Sequence, residues 1–116
     1  MGLEVKGQCA YYRSAALAAS GVINNGRAYL SGIMGYNNNL GAQWIHLFNA
    51  TALPANGTAP VLFPLRIEGQ SNFFFDLAEI LRFFDTGIVW GNSTTVATLT
   101  NGAADVWLDA LYLPRR

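Results

Sequence analysis

The side chains able to do chemistry in this chain of 116 residues are few and far apart. His46, the one histidine, lies within an apolar segment, with no spaced carboxylate pair or nucleophile motif beside it. A general base needs a partner within hydrogen-bond reach, so we expect a hydrogen-bonded or interfacial histidine rather than a catalytic one. A pairing of His46 with Cys9 stays open, although nothing beside Cys9 in the sequence would activate its thiol.

The acidic residues are equally poor in catalytic signals, and Asp105 and Asp109 form the sharpest pair. They flank Trp107 on one face of a predicted strand, because residues four apart agree under a period of two. Paired carboxylates suit glycoside hydrolysis, but same-face acids more often pair with arginines across a sheet or a subunit interface, which we favour. One cysteine and one histidine are too few for zinc, and the acids lack a calcium-loop spacing. The sequence therefore predicts no catalytic, cofactor-binding or metal-binding residues.

Turns rich in Asn and Gly separate short segments of aromatic and β-branched residues. Two Asn-Gly pairs, at 56–57 and 101–102, are strong hairpin signals, and Ser93 with the two threonines after it is interpreted as a turn entering a strand. This pattern predicts an all-β fold, an antiparallel, jelly-roll-like β-sandwich of about eight strands. We expect strands at residues 11–17, 27–36, 43–49, 61–67, 71–77, 87–90, 94–98 and 105–113.

Two segments modify this pattern. Apolar residues recur with helical spacing from Leu77 to Phe84, which predicts one short helical turn at 78–83. Three prolines surround the expected strand 61–67, and because proline cannot donate to a ladder, that strand is placed at a sheet edge. We expect an extended N-terminal arm at 1–8, a single domain at 9–113 and a C-terminal tail at 114–116.

Charge is scarce and balanced in this chain. Seven basic residues offset seven acidic ones, and charged residues make up 12% of the sequence while apolar ones make up 52%. This balance argues against a nucleic-acid partner, which would need a basic surplus, and the sequence has neither a secretory signal nor a run of about 20 apolar residues to span a membrane. Since a lone domain usually keeps its surface charged, we expect much of this surface to be covered by copies of the chain or by another protein.

The run Phe73-Phe74-Phe75 is the most informative local feature. Consecutive strand residues point to opposite faces, so this strand presents phenylalanine to both sides, and a partner subunit must bury one of them. We assign Phe73, Phe75 and Trp90 to subunit packing. The arm and the terminal Arg115 and Arg116 are expected to contact neighbours.

Several segments in order resemble small virion structural proteins of tailed bacteriophages: QWIHLFNA at 43–50, LP at 53–54, TAPVL at 58–62, DTGIVW at 85–90, TTVA at 94–97 and DVWL at 105–108. The resemblance covers residues 43–112, and its motifs are β-sandwich residues rather than catalytic ones. The chain departs from the family pattern at 77–84, where a tighter turn with Gly or Pro is expected.

The resemblance implies a non-enzymatic structural role in the virion, assembled in the host cytoplasm. It favours a capsid decoration (cement) protein, a homotrimer bound to the major capsid protein or other virion proteins. One alternative is a tail or fibre component that contacts host glycans through tryptophans, drawing on Trp44, Trp90, Trp107 and Tyr112. Another is an enzyme on a cupin-like barrel, although such barrels hold metal through several histidines and this chain has only His46.

Overall fold

The computed structural model describes residues 10–79 and 81–115, and these form nine β-strands and no helix. The strands pair into two antiparallel sheets, which confirms the predicted all-β sandwich. In chain order they are β1 (Ala10–Arg13), β2 (Ser20–Asn24), β3 (Ala28–Asn37), β4 (Gln43–Asn49), β5 (Leu65–Ile67), β6 (Ser71–Asp76), β7 (Arg82–Phe84), β8 (Ile88–Ser93) and β9 (Val106–Pro114).

The large sheet has the order β1-β9-β3-β6, with β7 also paired to β3. Strand β3 pairs with β9 along its whole length, from Ala28 opposite Pro114 to Asn37 opposite Val106. Strands β6 and β7 lie one after the other along the free side of β3. The centre of this sheet is therefore two long strands, each bonded on both sides.

The small sheet has the order β2-β8-β4-β5. Strand β4 has the predicted bounds, and β5 lies at the edge of its sheet, as the prolines around it predict. Strand β8 is buried along its whole length, because loops cover the outer side of this sheet.

The main core fills the space between the sheets. Leu30, Ile33 and Leu108 enter it from the large sheet, and Ile45 and Trp90 enter it from the small sheet, all at most 1% exposed. A second, smaller apolar cluster lies outside the small sheet, where Leu99 packs on β4 and β8. Loops thus add a third layer to the sandwich, on the outer side of the small sheet.

A hydrogen bond between two side chains joins the two sheets across the core. The indole Nε1 of Trp90 donates to the Tyr12 hydroxyl at 3.2 Å. Gly21 lies opposite Trp90 in the β2–β8 ladder, and a Cβ there would overlap the Tyr12 hydroxyl. Glycine is needed at this position because two large side chains approach the backbone closely.

Several elements differ from the prediction. Strand β2 lies where no strand is predicted, and close packing against Tyr12 and Trp90 explains the glycine at position 21. Residues 94–98 are not a strand: the buried Ser93 hydroxyl accepts the backbone N–H groups of Thr95 and Thr100, which removes them from ladder pairing. The Asn-Gly pairs at 56–57 and 101–102 lie in long loops between strands rather than in hairpin turns.

The helical turn predicted at 78–83 is wrong. Residues 78–79 form a turn, and residues 82–84 are strand β7. The apolar spacing has a different cause: Phe84 is buried because β7 pairs with the start of β3, while Leu77 donates its backbone N–H to the Ser31 carbonyl. Ile80, within the predicted turn, lies outside the described residues.

Other expectations fall at the chain ends. The arm at 1–8, Cys9 and Arg116 lie outside the described residues. At the other end, Pro114 is the last residue of β9, and the Arg115 backbone N–H donates to the Arg27 carbonyl at 2.8 Å. Residues 114–115, predicted as part of a tail, therefore continue along the sheet.

Candidate functional site

The described residues with reactive side chains do not lie together in one site. His46 lies on the outward side of β4, where it is fully buried beneath the loop after β8, and neither ring nitrogen makes a well-aligned hydrogen bond. Desolvation lowers the pKa of His46 below its ordinary value of 6.5, and the backbone of Val96 and Thr95 opposes this shift. His46 therefore packs inside the chain rather than at an interface, with the centre of the Phe48 ring 6.1 Å from its own.

The two aspartates have separate partners. Asp109 lies opposite Arg13 in the β1–β9 ladder, and the Arg13 Nε and Nη2 atoms donate to its two carboxylate oxygens at 3.2 Å each. Asp105 instead accepts a hydrogen bond of 3.0 Å from the Asn39 amide. The favoured pairing with arginine is confirmed for Asp109. Across residues 10–79 and 81–115, no three His, Cys, Asp or Glu side chains lie close enough to hold a metal ion.

The residues assigned to subunit packing point into the core of their own chain rather than towards a partner. Trp90 is fully buried in the main core, so its side chain has no surface to offer a partner, and that assignment is wrong. Phe73 and Phe75 turn inward and pack against the same core, with a Cβ at Gly35 too close to the Phe73 ring to fit. Phe74 is the outward phenylalanine, 62% exposed.

The outer side of the large sheet carries the strongest surface feature among the described residues. One row of directly opposed residues crosses four strands: Arg13, Asp109, Met34 and Phe74. Trp107 lies two residues before Asp109 on β9, and Tyr11 lies two before Arg13 on β1, so both share this side. We call this surface the aromatic face and define it as Tyr11, Arg13, Met34, Phe74, Trp107 and Asp109.

The aromatic face is apolar and open. Tyr11 is 78% exposed, Trp107 44% and Met34 42%. Two adjoining grooves cross it, and the row from Arg13 to Phe74 lines both. Gly32 lies in the next row, between Leu111 and Asp76, so the absence of a side chain there deepens the groove beside Phe74.

A second aromatic cluster extends the same side of the sheet. The Tyr29 and Phe83 rings are 5.0 Å apart, and the Arg115 guanidinium lies 5.5 Å from the centre of the Tyr29 ring. Arg115 also donates to the Tyr29 hydroxyl at 3.2 Å. Arg115, predicted to contact neighbours, is exposed but engaged within its own chain.

The small sheet offers a weaker surface. The Arg66 guanidinium lies 5.8 Å from the centre of the Trp44 ring and pairs with Glu68 at 2.8 Å. Glu68 raises the pKa of Arg66, and Arg66 lowers the pKa of Glu68. Of the four aromatic residues considered for sugar stacking, Trp107 lines one of the two grooves on the aromatic face, and Trp90 is fully buried. Sequence reasoning missed Phe74 as the outward residue, although it predicted that this strand is apolar on both sides.

Comparisons with known proteins give one likeness of shape. No family model matches the chain. No curated protein matches it either. Among solved structures, the chain is similar to the coat protein of tobacco streak virus, with a TM-score of 0.42 and 13% identity over 94% of this chain and 89% of that one. Within the described part of the chain, no helix is long and apolar enough to cross a membrane.

Proposed function

We propose that this chain is a non-enzymatic structural protein of a virion, and specifically a capsid decoration (cement) protein of a tailed bacteriophage head. The observation that carries the proposal is the aromatic face, an apolar surface on a rigid sheet of a chain with only 12% charged residues. Surfaces of this kind mark protein–protein contacts. The phage assignment is supported by the segment resemblance over residues 43–112.

A cement protein stabilises the capsid because it binds capsid subunits only after they have assembled. A protein that binds the capsid lattice but not free capsid subunits adds its binding free energy to the stability of the lattice. Copies of the chain, as a homotrimer, would clamp neighbouring major capsid proteins in a virion assembled in the host cytoplasm. No membrane or nucleic acid takes part.

The test uses capsids of the encoding phage prepared without this chain. The purified protein should co-sediment with these capsids, and it should raise the temperature at which they break. Unassembled major capsid protein is the matched control and should not bind. Absence of binding to capsids in every expansion state would overturn the cement assignment.

One observation favours a second function, a tail or fibre component that contacts host glycans. Trp107 lines an open groove together with Asn72 and the Arg13–Asp109 pair, and an indole beside polar groups can stack on a sugar ring. A glycan array probed with the purified protein separates the two functions. Binding that is lost in Trp107→Ala, with no affinity for capsids, would place the fibre function first.

A further inference from the structure

We infer that the aromatic face is the surface through which copies of this chain pack against one another. The inference rests on the structural role proposed above and names the partner of that face. Most of its composition is that of an interface centre: three aromatic residues, a methionine and an arginine, with one aspartate that is paired to the arginine and with no lysine or glutamate.

The exposed area approaches what a stable assembly needs. Tyr11, Phe74, Trp107 and Met34 together leave roughly 400–500 Å² of side-chain surface uncovered, taking about 200 Å² for each extended side chain. A standard interface takes about 800 Å² from each partner. Four side chains therefore supply about half of one partner's share, before Leu111 and Tyr36 in the neighbouring rows are counted.

The charges of the face suit a second copy in particular. Arg13 and Asp109 are adjacent and of opposite sign, so the face has no net charge of its own. A copy of the same face brings the same two charges, and each arginine can then lie beside the aspartate of its neighbour without leaving a charge unpaired.

The face is also rigid before association. Met34 and Trp107 stand on β3 and β9, the two central strands of the large sheet. Side chains on a paired strand lose less freedom on binding than those on a loop, so more of the buried area contributes to affinity.

The same contacts argue against a sugar as the main occupant. A saccharide site needs polar groups free to bind hydroxyls, whereas Arg13 and Asp109 already bond to each other through three donor–acceptor contacts of 3.2 to 3.4 Å. A second copy of the chain leaves the Arg13–Asp109 pair intact, or replaces it with the same pair formed between the two copies.

The first experiment compares molecular mass by light scattering for the full-length wild type, Phe74→Lys and Phe63→Lys. Phe63 is 80% exposed and lies in the loop before β5, so it is the matched control. The wild type and Phe63→Lys should form the same oligomer. Phe74→Lys should weaken self-association by about 30-fold or more, as for loss of an interface hot spot. Circular dichroism checks that all three are folded.

The second experiment tests the exchange of charges between copies. The Arg13→Glu variant carries two negative charges on the face, and Asp109→Arg carries two positive charges. Each variant alone should be monomeric, and an equimolar mixture should regain a mass above that of the monomer. A mixture that stays monomeric would overturn the inference, because a pair that acts only within one chain is broken in both variants.

A wild-type monomer at about 100 μM, or an oligomer unaffected by Phe74→Lys, would also overturn it. These outcomes are separate from failure of the proposed function. A monomer that binds capsids would contradict only the inference about self-association. An oligomer that forms through this face but does not bind capsids would contradict only the cement assignment.

Discussion

His46 couples stability to pH because its ring is fully buried inside the chain. In the unfolded chain it takes a proton below about its ordinary pKa of 6.5, while desolvation keeps the folded ring neutral to lower pH. The unfolded state then binds more protons, so the free energy of unfolding should decrease as pH falls from 6.5 towards the lowered pKa, by up to about 1.4 kcal/mol per pH unit. Above pH 6.5 this contribution fades, because the imidazole of the unfolded chain also loses its proton.

The measurement is urea unfolding followed by tryptophan fluorescence, from about pH 8 to about pH 5. His46→Leu should remove the slope in this window and cost little at the upper end, because the imidazole nitrogens make no well-aligned hydrogen bond. Glu68 and Asp85 have lowered pKa values, through Arg66 and through the Asn49 hydrogen bond, so they lose their contributions only below their ordinary 4.5 and 3.8. Equal slopes in wild type and variant would contradict this account.

At the scale of single residues, the sequence predicts which positions are apolar but not which of them are outward. The run Phe73 to Phe75 must face both ways, and a shift of one residue in register decides which side meets the core. Gly35 leaves the space that Phe73 enters, which a pattern of apolar residues does not reveal. Trp90 could not be placed either, since β8 is buried on both faces and shows no alternation.

At the scale of elements, Ser93 holds the loop that covers the small sheet. Its hydroxyl donates to the Thr95 carbonyl at 2.7 Å and accepts the N–H groups of Thr95 and Thr100. Ser93→Ala removes the acceptor of two part-buried backbone N–H groups and should lower the free energy of unfolding by about 1–3 kcal/mol. Amide hydrogen exchange at Thr95 and Thr100 should speed up. Thr98→Ala, which removes an exposed hydroxyl, is the control, and equal effects from the two variants would show that Ser93 is not the anchor.

Strands with clear alternation were predictable as elements, and those fixed by tertiary contacts were not. Strand β9 shows the predicted faces, with Val106, Leu108 and Ala110 buried. Strand β2 contains Gly21, and only the approach of Tyr12 and Trp90 explains why glycine belongs in a strand there. Strand β7 has three residues, too few for a period to appear, and exists because β3 is long enough to pair with two strands in succession.

At the scale of the whole molecule, folding and association share the large sheet. If copies cover the aromatic face, they bind the folded chain and not the unfolded one, so the melting temperature should rise with protein concentration. A hundredfold increase in protein concentration should raise Tm by a few degrees. The reason is that a change of about 1 kcal/mol in the free energy of unfolding shifts Tm by roughly 4–8 °C in a domain of this size. Differential scanning calorimetry over that range measures the effect.

Phe74→Lys separates association from folding in the same experiment. Phe74 projects from β6 away from the core, so its replacement should leave the monomer fold intact and make Tm independent of concentration. Phe63→Lys should keep the wild-type dependence, since it adds the same charge outside the face. A wild-type Tm that does not change with concentration would mean that copies of the chain leave the aromatic face open in solution. The low surface charge of this neutral chain would then indicate that a different protein covers the face.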